Sequence, residues 1–132
     1  MELTGAQMIC ECLVREGVEY IFGLPGGSTL PFYDMLPQYP QLKHILVRHE
    51  QVAAHAAAGW ARVTGEPGVA VVTAGPGVTD SVSGVAEAFT AGCPMIEFGG
   101  RTHLRDFEKG GAAGYRPVAA HGAHHQMGES RL

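Results

Sequence analysis

Gly68 to Ala74 reads GVAVVTA, an almost unbroken apolar and β-branched run with no polar alternation. A strand of that kind has no face to give to water, so both faces must be covered by other elements. Such burial is the habit of parallel sheets, whose crossover connections lay helices on each side. One segment therefore excludes most all-helical and open antiparallel architectures and makes the neighbouring helices a requirement.

The rest of the chain supplies them. Thr4 can cap a helix whose apolar residues Met8, Ile9, Cys12 and Leu13 recur at helical spacing, with Gly17 as its stop. Val18–Phe22 has the β-branched and aromatic content of a short strand. Gly23–Gly27 is a turn, after which Ser28 caps a predicted helix to Leu36, with Pro31 early enough to be tolerated. His44–Arg48 is a second strand, and alanine-rich Glu50–Thr64 a helix stopped by Gly65. Beyond the buried run come a Gly75-Pro76-Gly77 turn, a helix over Thr79–Thr90 and a strand over Pro94–Phe98. Strand and helix alternate throughout, which predicts an α/β fold: three layers, α/β/α, around a parallel sheet. Ligands of such sheets sit beyond the carboxyl ends of the strands. That rim holds Gly23–Gly27, His49 with Glu50, and Thr73–Gly77.

A 132-residue chain has room for one domain, and 45% hydrophobic with 17% charged residues is ordinary for a globular one. A net charge of -4 argues against nucleic acid or an anionic membrane as the main partner. No run approaches the roughly 18 apolar residues that suggest a membrane span, and the acid-bearing start lacks the basic region of a signal peptide. Three cysteines, an odd number, suit a reducing compartment, hence a cytoplasmic reading. Cys10 and Cys12, two apart on a helix, point in different directions. Beyond Gly111 the periodicity fails, so 1–111 is read as the domain and 112–132 as an irregular, disordered tail.

Several motifs are absent. There is no GxxxxGK[ST] loop and no Gly-x-Ser-x-Gly elbow. Gly75-x-Gly77 meets Asp80 where a dinucleotide fingerprint wants glycine, and His49-Glu50 meets Ala53 where a zinc-binding helix wants histidine, so no metal site is expected. His121, His124 and His125 lie in the irregular tail and are not read as ligands. His55, Trp60 and Phe89 read as core or interface residues, and His49 as either a substrate-handling histidine or a packing or surface one.

What remains is GLPGGS (Gly23–Ser28), RHEQVAAHAAAGWAR (Arg48–Arg62) and TAGPGVTDSVSG (Thr73–Gly84). In this order and spacing the three segments resemble the N-terminal pyrimidine-binding domain of the thiamine-diphosphate enzymes of the acetolactate synthase, pyruvate oxidase, benzaldehyde lyase and oxalyl-CoA decarboxylase type. The resemblance runs from Met1 to about Gly111. It implies that fold, with four strands here against about six in the family. It also implies that Glu50 is the residue that activates the cofactor. Thiamine diphosphate reacts through C2 of its thiazolium ring, whose proton is taken by the cofactor's own 4′-amino group. That group becomes basic when a carboxyl exchanges a proton with N1′ of the pyrimidine, in a site dry enough for the proton to be shared rather than given to water. The bland alternative for Glu50 is an exposed acid at a helix N-terminus, contributing roughly 0.3–1 kcal/mol.

By the same resemblance Thr73, Pro76 and Gly77 back the aminopyrimidine, Pro25, Gly26 and Gly27 match the family's PGG element beside cofactor and substrate, and Asp80 replaces a frequent asparagine. The family's diphosphate end, held through Mg²⁺ by a Gly-Asp-Gly motif on another domain, has no counterpart: no Gly-Asp-Gly occurs in the chain. Mg²⁺ would thus come through a missing domain or partner, and FAD, found in some relatives, through an absent middle domain. The resemblance implies a parent enzyme acting on a C–C bond next to a carbonyl, in a 2-oxo acid or acyloin-type substrate, as a homo-oligomer in which the diphosphate domain of another chain completes the site. This chain by itself is expected to be inactive. Codons can be chosen for Ala113–Arg131 so that a shifted frame reads like the family's continuation, which suggests a frameshift near Ala112. The other readings are a small subunit of a split thiamine-diphosphate decarboxylase, to which a neighbouring Gly-Asp-Gly reading frame would point, and a non-catalytic interaction fragment.

Overall fold

A computed structural model describes residues 2–101. The boundary at Gly111, the tail 112–132 and its three histidines lie outside the described residues. Within them the order is α1 (Gly5–Arg15), β1 (Tyr20–Gly23), α2 (Leu30–Tyr33), a 3₁₀ turn (Leu36–Gln38), β2 (Lys43–Leu46), α3 (Glu50–Thr64), β3 (Gly68–Val72), α4 (Pro76–Ala91) and β4 (Met95–Gly99). The four strands form one parallel sheet in the order β2-β1-β3-β4. This is the α/β architecture expected of the alternating pattern.

β3 is central, and every one of its residues is buried. Val69 and Val71 pack on one face with Ile21, Cys10, Leu13 and Phe32, under α1 and α2. Ala70 and Val72 face the other way, against Ala53 and Ala57 of α3 and Val78 of α4. Full burial of a valine or isoleucine contributes about 1.5–3 kcal/mol, so the two-sided run is a large share of what holds the sheet in place. Small residues let the second layer sit close. Ala53, Ala54, Ala57, Ala58 and Ala61 form the buried stripe of α3, and a side chain on Gly84 of α4 would lie 2.8 Å from the His55 backbone nitrogen.

α1 begins as expected: Thr4 and Gln7 make a reciprocal capping box, with Gln7 N–H donating to Thr4 Oγ1 at 3.2 Å. Gly17 follows the helix at φ 76°, a left-handed conformation that glycine adopts without strain. Cys10 is buried and Cys12 exposed, as two residues on different helix faces must be. α3 spans the residues the alanine run predicts and ends on Gly65 at φ 79°. Trp60 of that helix lies half-buried against Tyr20, ring centroids 4.7 Å apart, whereas His55 and Phe89 are exposed on their helices rather than in the core.

β1 and β2 differ from the sequence reading by up to two residues at their ends, and two helices depart further. The Ser28–Leu36 helix is instead one turn, Leu30–Tyr33, followed by a 3₁₀ turn, and its cap position is Thr29 without a side-chain cap. Ser28 does not cap because its hydroxyl is engaged elsewhere in the fold. α4 starts at Pro76 rather than Thr79, since Gly75, at φ 69° and ψ -118°, turns the chain sharply enough for Pro76 to occupy the first helical position. Among the described residues β4 is an edge strand. Beside it the α1 face of the sheet leaves an apolar groove of about 790 Å³ lined by Met8, Trp60, Ile96 and Phe98 among others.

Candidate functional site

The C-terminal ends of β1 and β3 and the N-termini of α3 and α4 converge on one rim. Glu50 is the first residue of α3, and His49 caps that helix by accepting from Gln51 N–H through Nδ1 at 3.2 Å. That bond fixes the tautomer: in neutral His49 the proton sits on Nε2, which lies 4.0 Å from Asp80 Oδ2. The ligand-capable atoms of His49, Glu50 and Asp80 lie within 4.8 Å of one another. A neutral imidazole that accepts at Nδ1 has no lone pair left at Nε2 for a metal, so the cluster forms a polar rim.

Facing Glu50 is Gly77, in the first turn of α4. A side chain there would stand 3.4 Å from Glu50 Oε1 and 2.8 Å from Thr73 Cγ2. Gly26, on the loop after β1, closes on the other side of Thr73, where any side chain would collide with Thr73 Oγ1. Thr73 is thus packed between two glycines, either of which a larger residue could replace only if Thr73 shifted, and the carboxylate of half-buried Glu50 sits at the edge of that packing. No described residue donates a hydrogen bond to it. It is an acceptor left available at the mouth of the sheet, next to backbone stripped of side chains.

The loop itself is held by bonds the sequence did not reveal. Ser28 Oγ accepts from Ala74 N–H at 2.9 Å and lies 3.1 Å from Thr73 Oγ1. Thr29 accepts from Gly26 N–H at 3.2 Å and donates back to Gly26 O at 3.1 Å, closing the PGG turn on itself. Gly100 completes the packing, since a side chain there would meet Ser28. Ser28, Thr29 and Gly100 therefore shape the rim, and their one signal in the sequence is a place in or beside a glycine cluster.

Of the sequence-derived residues, Gly26, Glu50, Thr73 and Gly77 come together directly, and Asp80 joins through His49. Pro25, Gly27 and Pro76 are exposed on the same loop and turn, with open space where a side chain on Gly27 would project. The arrangement offers a carboxylate acceptor at the edge of a tightly packed glycine–threonine turn.

Deeper in the sheet, Tyr33 hydroxyl donates to Val71 O at 3.2 Å, crossing above Gly23, where a side chain would collide with it. Burial pushes the phenol up to about 12 and lowers the neighbouring His44 imidazole, which meets Tyr33 edge-on at 4.9 Å. Both groups are neutral near pH 7 and serve as packing beneath the loop.

The family described as "Thiamine pyrophosphate enzyme, N-terminal TPP binding domain" matches residues 3–128. The chain is 47% identical over 100 residues to the acetolactate synthase large subunit of Haemophilus influenzae, covering 76% of this chain and 18% of that protein. It is 46% identical over 99 residues to the acetolactate synthase isozyme 3 large subunit of Escherichia coli, covering 75% of this chain and 17% of that one. A probable acetolactate synthase large subunit of Methanocaldococcus jannaschii is 52% identical over 99 residues, with the same shares of 75% and 17%. The chain thus spans less than a fifth of the relatives it matches. With the parallel sheet and the glycine-lined rim, these matches establish that the chain belongs to the thiamine pyrophosphate enzymes and carries their N-terminal TPP-binding domain.

Proposed function

We propose that the chain supplies the pyrimidine-binding half of a thiamine-diphosphate site, in which Glu50 meets N1′ of the aminopyrimidine and Thr73, Pro76 and Gly77 back the ring. The observation that carries this reading is the Glu50 carboxylate, half-buried at the start of α3, 3.4 Å from where a side chain on Gly77 would stand. A carboxylate with no donor among the described residues is suited to take or share a ring proton. When bound, the cofactor supplies the reactive C2 centre that attacks a carbonyl carbon. The work of the protein here is to hold the ring against bare backbone, exclude water from one side of Glu50 and keep its carboxylate aimed. Pro25, Gly26, Gly27 and Asp80 line the outer edge, where cofactor meets substrate.

The proposed substrates are 2-oxo acids or acyloin-type compounds, in line with the acetolactate synthase names of the relatives. Mg²⁺ and the diphosphate would be held by a diphosphate-binding domain of another chain. Charge and metal coordination at that end dominate affinity for such a cofactor. Calorimetric titration of thiamine diphosphate with Mg²⁺ should therefore give weak binding to the chain alone and a gain of at least tenfold once a diphosphate-binding domain from a relative is present. Equal affinity with and without that domain would contradict the two-part site.

A further inference from the structure

Glu97 lies in the middle of β4 with its side chain on the α4 side of the sheet. Oε1 is 2.9 Å from Ser81 Oγ, and Ser81 is fully buried in α4. The same Ser81 hydroxyl is 2.7 Å from Val78 O, one helical turn back. A serine has one proton to donate. If Glu97 were a carboxylate, Ser81 would face two acceptors with a single proton, and one short contact would be left oxygen against oxygen. If Glu97 carries a proton on Oε1, every contact is satisfied: Glu97 donates to Ser81, and Ser81 donates to Val78 O. The second carboxyl oxygen, Oε2, is buried and has no partner among the described residues. An orphaned carbonyl-like oxygen costs far less than an orphaned half of an anion.

From this we infer that Glu97 is a protonated, hydrogen-bond-donating acid, and that the relay Glu97–Ser81–Val78 is a proton-linked latch holding the N-terminal half of α4 against β4.

Among the described residues the surroundings offer no countercharge. β3 presents only glycine, alanine and valine. On α4, Asp80 is exposed beside His49, and Glu87 pairs with Arg62 of α3. The other titratable residues of α3 are Glu50, at the rim, and His55, exposed. Arg101, beyond the end of the strand, is exposed. Burial accordingly pushes the Glu97 carboxyl up to about 7; a proton donated by Ser81 would pull it back down, but that proton is committed to the nearer Val78 O. Below 4.5, its ordinary value, folded and unfolded chains both hold the proton. Between there and about 7 the unfolded chain releases it while the folded chain keeps it, so the stabilisation fades as pH rises and is gone above that window. Gly77 lies about one turn before Ser81 on the same helix, so loosening this part of α4 would act on the rim. The latch nonetheless stands apart from the cofactor reading and is tested without cofactor.

The experiment is an infrared titration of the full chain, following the carboxylic-acid carbonyl band that disappears in Glu97→Gln. The expected midpoint lies near neutrality, far above that of an ordinary glutamate. Ser81→Ala separates the two directions of the hydrogen bond. If Ser81 accepts from the acid, removing it lowers the midpoint; if Ser81 donates to a carboxylate, removing it raises the midpoint. Denaturant unfolding gives the second readout. The folding equilibrium constant of the wild type should fall by roughly two orders of magnitude relative to Glu97→Gln between pH 5 and pH 8. A Glu97 already ionised at pH 6, a midpoint unmoved or raised in Ser81→Ala, or parallel pH profiles of wild type and Glu97→Gln would each overturn the proposal. Should either variant fail to fold, carboxyl-carbon NMR of the unmodified chain reads the same titration.

Discussion

Glu50→Gln is expected to slow exchange of the thiamine-diphosphate C2 proton by about 10²- to 10⁴-fold in the enzyme reconstituted with a diphosphate-binding domain, the range typical of a lost general acid–base group. The amide keeps the shape of the side chain and can still hydrogen-bond a ring nitrogen, but it cannot pass a proton to it. Stability should barely change. No described residue pairs with the Glu50 carboxylate, so the fold loses only an acid at a helix N-terminus, roughly 0.3–1 kcal/mol. The two effects separate the two readings of this residue. An acid that only stabilises the helix would leave exchange untouched; a cofactor-activating acid slows exchange far beyond what so small a stability change could cause. Exchange measured by NMR at fixed cofactor saturation decides between them.

The second large effect is on folding. Gly68→Ala should destabilise the domain by about 3 kcal/mol or more, at the upper end of what overpacking costs. Gly68 begins β3 where α3 crosses it. A methyl group there would fall on the Ala57 carbonyl oxygen, 2.5 Å from its carbon and 2.8 Å from the Ala57 Cα. These are backbone atoms, so no side-chain rotation relieves the clash, and α3 must lift off the sheet. Lifting α3 also displaces Glu50 at its first turn. Gly59, on the exposed face of the same helix, has nothing within 4 Å of its missing side chain. Gly59→Ala should therefore stabilise the domain by about 0.5–1 kcal/mol through helix propensity. Urea unfolding of the two variants beside the wild type is the check. Similar midpoints for both would contradict the packing of α3 on β3.

Much of this was legible because local and global preferences agree. The β3 run announces two covered faces, and valines 69 and 71 do face away from alanine 70 and valine 72. The alanine run of α3, bounded by a cap and a left-handed glycine, carries its own start and stop. The rim follows from topology once the strands are parallel, because their carboxyl ends share one side. The features that escaped depend on partners distant in sequence. Ser28 resembles a helix cap, but its hydroxyl bonds Thr73 and Ala74, more than forty residues on. No local pattern announces that. Glu97 reads as an ordinary polar residue in PMIEF, yet strand alternation turns it inward with Met95 and leaves Ile96 more exposed. Its role depends on a serine of the preceding helix and a carbonyl one turn before that.

The central claim is that Gly26, Glu50, Thr73 and Gly77 form one pyrimidine-binding surface. Amide chemical-shift mapping of the full chain tests it most directly, with thiamine diphosphate and Mg²⁺ added in the millimolar range, alone and with a diphosphate-binding domain. The predicted result is a set of shifts centred on Gly26, Thr73, Gly77 and Glu50 that grows when the domain is present. Shifts confined to the apolar groove beside β4, or scattered with no focus on the rim, would contradict it.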